Sequence, residues 1–132
     1  MRLLLIERHQ LLARLLKRGL EEDGFSVTVV RDAEEGSFQV TTETYDVILF
    51  DLHRPNESCR PLLQQRGSNG RQTPVLVLTA RDDTEEELHA LGLGAEDYLT
   101  IPFQLEELLS RLGTLTRRRP RGHGPSPAQR PG

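Results

Sequence analysis

One cysteine and no tryptophan occur among the 132 residues. A single thiol, Cys59, excludes an intramolecular disulfide framework, and no Cys/His spacing has the ligand pattern of a structural zinc site. Cys59 reads as a small buried or half-buried side chain rather than a reactive thiol. Long apolar runs are missing too, and none approaches the ~20 residues of a membrane span. At the N-terminus Leu3-Leu4-Leu5-Ile6 is too short for a signal peptide's apolar region, so the expectation is a cytoplasmic protein without a membrane segment. The turn that follows, Glu7-Arg8-His9-Gln10, has no glycine for close approach to a phosphate, which removes the dinucleotide and flavin fingerprints. No Walker-type loop and no serine nucleophile elbow occurs. The net charge of −3 is unevenly divided: residues 117–132 hold five arginines and no acid, leaving 12 basic and 20 acidic residues in 1–116. An acidic body with a basic tail is not the composition of a nucleic-acid-binding domain.

What is present is a regular alternation. The length and the 36% hydrophobic content suit one domain with one modest core. Leu3 to Ile6 is a continuous apolar run, as in a strand buried on both faces. Leu11, Leu12, Leu15, Leu16 and Leu20 follow at helical spacing, and Gly24 is placed to end that helix. Phe25 to Val30 predicts a second strand. Asp32 with Glu35 resembles a helix-capping pattern, although β-branched Val40, Thr41, Thr42 and Thr44 predict a weak helix behind it. Val47 to Phe50 predicts a third strand that runs directly into Asp51. A third helix is expected around Pro61 to Arg66, then a turn at Gly67-Ser68-Asn69-Gly70. Val75 to Leu78 predicts the fourth strand. Thr84 with Glu87 reads as a capping box opening a fourth helix, closed by Gly92 and Gly94. Tyr98-Leu99-Thr100 predicts a fifth strand before Ile101-Pro102. Leu105, Leu108, Leu109, Leu112 and Leu115 mark a fifth helix. The tail, rich in Pro, Gly and Arg, is expected to be disordered.

Five strands alternating with five helices imply a parallel sheet covered on both faces, with ligands beyond the carboxyl ends of its strands. That rule gathers Glu7, Arg8 and His9 after strand one, Asp51 and His53 after strand three, Thr79 after strand four and Ile101 after strand five. Asp51 taken alone reads equally well as a turn or capping aspartate, and Thr79 as a turn hydroxyl. Together they form a carboxylate nucleophile and a hydroxyl donor, which suits phosphoryl chemistry. His9 and His53 could hold a transition metal with Glu7 and Asp51, or be two polar loop residues. His89 and His123 carry no constellation.

Aligned along residues 2 to 116, the chain resembles a bacterial two-component response regulator receiver domain, of the OmpR/PhoB-like branch. The resemblance rests on Leu3 to Glu7, Tyr45 to Leu52, Pro74 to Arg81, Leu93 to Thr100, Pro102-Phe103 and Leu105 to Leu108. It implies a flavodoxin-like (CheY-like) doubly wound α/β fold, with five parallel strands and five helices in residues 1–116, and the basic tail at 117–132. It implies that Asp51 is the phospho-acceptor, Thr79 the hydroxyl that contacts the phosphoryl group, and Tyr98 the aromatic whose rotamer reports the active state. Tyr98 by itself would be called a core aromatic with a wet hydroxyl. The peptide before Pro102 matches one that is usually cis.

The chain departs from the family pattern at two positions. Arg8 stands where the second, metal-binding acid is expected, and Ile101 where a lysine precedes the proline. Glu7, Asp51 and the carbonyl of His53 would remain as ligands, so Mg²⁺ binding should be weakened. Arg8 could form a forked pair with Asp51, giving a phosphorylation-independent pseudo-receiver, or it could stabilise a phosphoryl group. The loop His53 to Ser58 also departs from the family pattern. The implied partner is a sensor histidine kinase or another signalling protein. The branch dimerises through its fourth helix, fifth strand and fifth helix; Asp97 and Arg111 match one of its charge pairs, but Glu87 faces other acids, which opposes association. No DNA-binding domain lies in this chain, and the tail reads as a solvated linker or a weak polyanion contact. The expectation is a non-enzymatic signalling module. A metal-dependent phosphatase-like enzyme using Asp51 is a remote alternative, because nothing supplies its second acid.

Overall fold

The three longest apolar runs become strands because each is covered from both sides. A computed structural model describes residues 1–52, 60–65, 72–80, 83–90 and 94–117. The elements alternate: β1 Arg2–Ile6, α1 Gln10–Glu22, β2 Ser26–Val30, α2 Ala33–Thr42, β3 Val47–Leu52, α3 Arg60–Gln65, β4 Val75–Thr79, α4 Thr84–Ala90, β5 Asp97–Thr100 and α5 Leu105–Arg117. All strand pairs are parallel and the order is β2-β1-β3-β4-β5. This is the flavodoxin-like doubly wound order, with its switch point between β1 and β3. Leu3 to Leu5, Val47 to Phe50 and Val75 to Leu78 are fully buried, as the continuous apolar runs require.

Alternate residues along each strand feed two separate cores. Leu4, Ile6, Ile48, Phe50, Val75 and Val77 point to one face, where Val40 of α2, Leu62 and Leu63 of α3 and Leu88 of α4 cover them. Leu3, Leu5, Val47, Leu49, Leu76, Leu78 and Leu99 point to the other, beneath Leu16 and Leu20 of α1 and Leu108, Leu112 and Leu115 of α5. Each buried leucine contributes roughly 1.5–3 kcal/mol of transfer free energy. The sheet is therefore fixed in register, since a one-residue slip would exchange the two faces.

Helix ends follow local chemistry. Gly24 takes φ 101°, and Gly24 N–H donates to Glu21 O while Phe25 N–H donates to Leu20 O. This double closure ends α1. Because Phe25 belongs to it, β2 starts one residue later than the sequence suggests. The helix expected behind Asp32 is present as α2, ten residues long, and it includes Val40, Thr41 and Thr42. Asp32 caps it by accepting from Glu35 N–H at 2.9 Å, and the Glu35 carboxylate reaches back to Arg31 N–H. Packing decides the rest. Gly36 is buried so close to β1 that a Cβ there would lie 2.6 Å from Ile6 Cδ1. Tertiary contact of this kind outweighs a few tenths of a kcal/mol of propensity per residue.

The basic tail beyond Arg117, the turn at 67–70, Gly92, Arg81, Cys59, His123 and the loop containing His53 lie outside the described residues, as does the side chain of Glu87. Helix α5 runs through Arg117, one residue past the boundary expected for the domain.

Candidate functional site

The ends of β1, β3 and β4 place polar side chains where the rest of the sheet is apolar. Six polar residues are buried among those described: Glu7, Asp51, Thr73, Thr79, Thr84 and Thr116. Four of them, Glu7, Asp51, Thr79 and Thr84, belong to this carboxyl end. Glu7 continues β1, its N–H donating to Val30 O at 2.9 Å. Ile6 pairs with Phe50, so Glu7 and Asp51 flank the switch point on neighbouring strands. Asp51 pairs with Leu78, and Leu52 with Thr79, which brings the end of β4 alongside. Glu7 and Asp51 are each only 2% exposed. Two carboxylates this close and this buried are costly unless solvated, paired or used.

Arg8 is half-buried, and its Nε is buried with no hydrogen-bond partner among the described residues. No ion pair or hydrogen bond between Arg8 and Asp51 is present among those residues. The Glu7 carboxylate holds the loop between β1 and α1: Oε2 accepts from His9 N–H at 3.1 Å. His9 caps α1, its Nδ1 accepting from Leu12 N–H at 3.2 Å. Of the two readings left open for His9, a metal ligand or a polar loop residue, the observed role is a helix cap. Among the described residues no group of three His, Cys, Asp or Glu is arranged to hold a metal ion.

On the other flank, the Thr79 hydroxyl meets the Thr84 hydroxyl at 3.0 Å in a buried contact. Thr84 opens α4, as expected, and its hydroxyl ties that helix to the end of β4. Ile101 N–H donates to Thr79 O at 2.9 Å, and its side chain packs against the α1/α5-side core. An apolar residue there satisfies the core and supplies no cation. The Ile101–Pro102 peptide is cis. Tyr98 packs against the other core, and its hydroxyl oxygen accepts from Ala95 N–H at 3.0 Å.

Away from this end, Asp97 and Arg111 pair within the chain, with Arg111 Nη1 2.9 Å from both carboxylate oxygens. That hydrogen bond raises the Arg111 guanidinium above its ordinary value, against the opposing effect of burial. Glu107, one turn back on α5, is 3.4 Å from Nη2.

A buried aspartate at the switch point of this sheet, next to a strand-end threonine, is the arrangement of a signalling receiver domain. Residues 3–113 match the family described as the response regulator receiver domain. The chain belongs to that family, whose members are modules of two-component signal transduction. It is 42% identical over 118 residues to the transcriptional regulatory protein QseB of Escherichia coli O157:H7, covering 89% of this chain and 54% of that protein. The chain therefore spans about half the length of the curated relatives it matches. Among solved structures it resembles the receiver domain of the Francisella response regulator 1452, with TM-score 0.74, 35% identity and coverage of 89% and 97% of the two chains. It also resembles the receiver domain of the sensor histidine kinase PA1611 from Pseudomonas aeruginosa PAO1, with TM-score 0.74, 27% identity and coverage of 87% and 96%. That relative is described with a magnesium ion coordinated in its active-site cleft. No helix among the described residues is long and apolar enough to cross a membrane.

Proposed function

We propose that Asp51 accepts a phosphoryl group from a sensor histidine kinase, and that the chain passes on this state by protein–protein contact rather than by catalysing turnover. The observation that carries this is the burial of Asp51 at the end of β3, level with Glu7 and beside Thr79. In the transfer an Asp51 carboxylate oxygen attacks phosphorus. The bond from phosphorus to the donor's imidazole nitrogen breaks, and that nitrogen keeps the electron pair. The product is an aspartyl phosphate. No proton is needed at Asp51, so positioning and charge neutralisation carry the step. Thr79 would donate its hydroxyl to a phosphoryl oxygen, exchanging its bond to Thr84, and Tyr98 would follow that movement. The setting is the cytoplasm, where ATP-dependent kinases phosphorylate their histidines. Leu11 and Leu15, more than half exposed and one turn apart on α1, offer apolar surface near the site for such a partner.

The donor set does not fit Mg²⁺ well. The ion wants a near-octahedral shell of oxygens. One oxygen of Glu7, Oε2, is engaged with the loop backbone, and the next residue is a fixed cation. A homodimer through α4, β5 and α5 is a further element of this proposal; Asp97 and Arg111 would have to share or exchange the partners they hold within the chain.

Incubation of the chain with acetyl phosphate, followed by intact mass, tests the acceptor. One added phosphoryl group, lost in Asp51→Asn, is the expected result. No addition under any condition points instead to a pseudo-receiver that contacts its partners constitutively, a reading favoured by Arg8 and Ile101 at the two flanks of Asp51.

A further inference from the structure

We infer that Arg8 takes the place of a bound divalent cation, so that Asp51 receives its phosphoryl group without metal; this rests on Asp51 being the acceptor. Four observations converge on it. Arg8 follows Glu7 in the bend between β1 and α1, and β1 runs beside β3, which carries Asp51 one residue before its end. Its Nε is buried with no partner among the described residues, a donor held ready for an acceptor that those residues do not supply. Glu7, the acid next to it, is turned to the backbone of His9. On the β5 side, Ile101 is packed into the apolar core and brings no positive charge. Among the described residues around Asp51, the cation that phosphoryl transfer needs then comes from the β1 side.

A guanidinium suits that role. It is charged at every accessible pH and presents parallel N–H donors in a fixed fork that matches two oxygens of a phosphoryl group. It also repels a divalent ion from the same spot, and it contributes no ligand oxygen. One positive charge replaces two, so transfer is slower than a magnesium-loaded site would allow, but it does not vary with magnesium.

The test is labelling of the full chain by acetyl phosphate, with Mg²⁺ and with EDTA, read by intact mass over time. Here acetate is the leaving group and departs with the electron pair of the broken P–O bond. The expected native rates agree within about twofold between the two conditions, because the cation is covalently part of the chain. In Arg8→Gln the rate falls at least about tenfold in both conditions, as expected when one fixed charge is removed from the transfer site. Arg8→Asp restores a ligand oxygen, and its labelling becomes dependent on Mg²⁺. Native labelling that requires Mg²⁺ overturns the inference and leaves Asp51 as the acceptor. Labelling of Arg8→Gln at the native rate also overturns it. Absence of native labelling in both conditions overturns the acceptor assignment and this inference with it. If Arg8→Asp does not fold, the native and Arg8→Gln comparisons decide the matter unaided.

Discussion

The contact between Thr79 and Thr84 joins the β4 end of the site to a helix through buried side chains, and its strength is measurable. The two oxygens lie 3.0 Å apart, with the residues 3% and 2% exposed. Thr84→Val keeps the shape and removes the hydroxyl. A net hydrogen bond contributes about 0.5–1.5 kcal/mol, and stranding a buried partner costs about 1–3 kcal/mol. Thr79 has other contacts to fall back on. The expected loss is therefore near the lower end, about 1–1.5 kcal/mol. For a domain of this size that lowers Tm by roughly 4 °C.

Urea unfolding followed by far-UV circular dichroism is the appropriate assay, since the chain has no tryptophan. With a slope of about 2 kcal/mol per molar, the midpoint should fall by about 0.6 M. Thr79→Val should cost a similar amount. The double variant should cost less than the two singles together, with a coupling of about 1 kcal/mol, because it removes both partners of one bond. If the single losses add to within about 0.3 kcal/mol, the two hydroxyls are not partners and α4 is not tied to β4 in this way.

Gly36→Val should destabilise by about 2–3 kcal/mol in the same assay, since its Cβ would overlap Ile6 Cδ1 in a filled core. Gly24→Ala should cost about 1 kcal/mol from its positive φ alone, as nothing lies within 4 Å of the added carbon. Asp97→Asn should cost at most about 1 kcal/mol, less in high salt, because the pair with Arg111 is about a third exposed. The sign of its pH dependence follows from a raised guanidinium: the contribution is complete below the ordinary arginine value and is lost only above it, so unfolding midpoints measured up to about pH 10 should carry no Arg111 titration.

Continuous apolar runs made the three central strands legible, because a strand covered on both faces needs no alternation. Asp51 was legible for the same reason, as the first charge after Val47 to Phe50. Gly24 was legible as punctuation. Other features depended on contacts that a linear pattern does not encode. The threonines and valine of α2 predict a poor helix, and the close approach of Gly36 to β1, which only the fold shows, packs that helix on the sheet. Thr84 with Glu87 has the spacing of a capping box, but that its hydroxyl also meets Thr79, a neighbour across a strand end, is not written in the spacing. His9 is outside the usual set of capping residues, and only the fold shows its Nδ1 over Leu12 N–H. The one available signal was its position, two residues before Leu11, the first periodic leucine.

Arg8 and Ile101 were legible as departures, but their meaning comes from where the strands put them. Counting Glu7 and Asp51 against Arg8 gives a formal charge of −1, whereas three carboxylates and one lysine would give −2 and call for a divalent ion. Ile101 is not a simple loss, since its side chain helps close the α1/α5-side core at the end of β5. A lysine there would have to leave that core or carry its ammonium out along the stem. On the inference drawn above, the positive charge has in effect moved from the β5 flank of Asp51 to the β1 flank, and a site rearranged in this way need not have stopped working. Ile101→Lys separates the two possibilities. If the cation has moved, adding a second one should cost stability through lost packing and change labelling by only a few-fold. If the site has simply lost its cation, the same substitution should raise labelling by an order of magnitude or more.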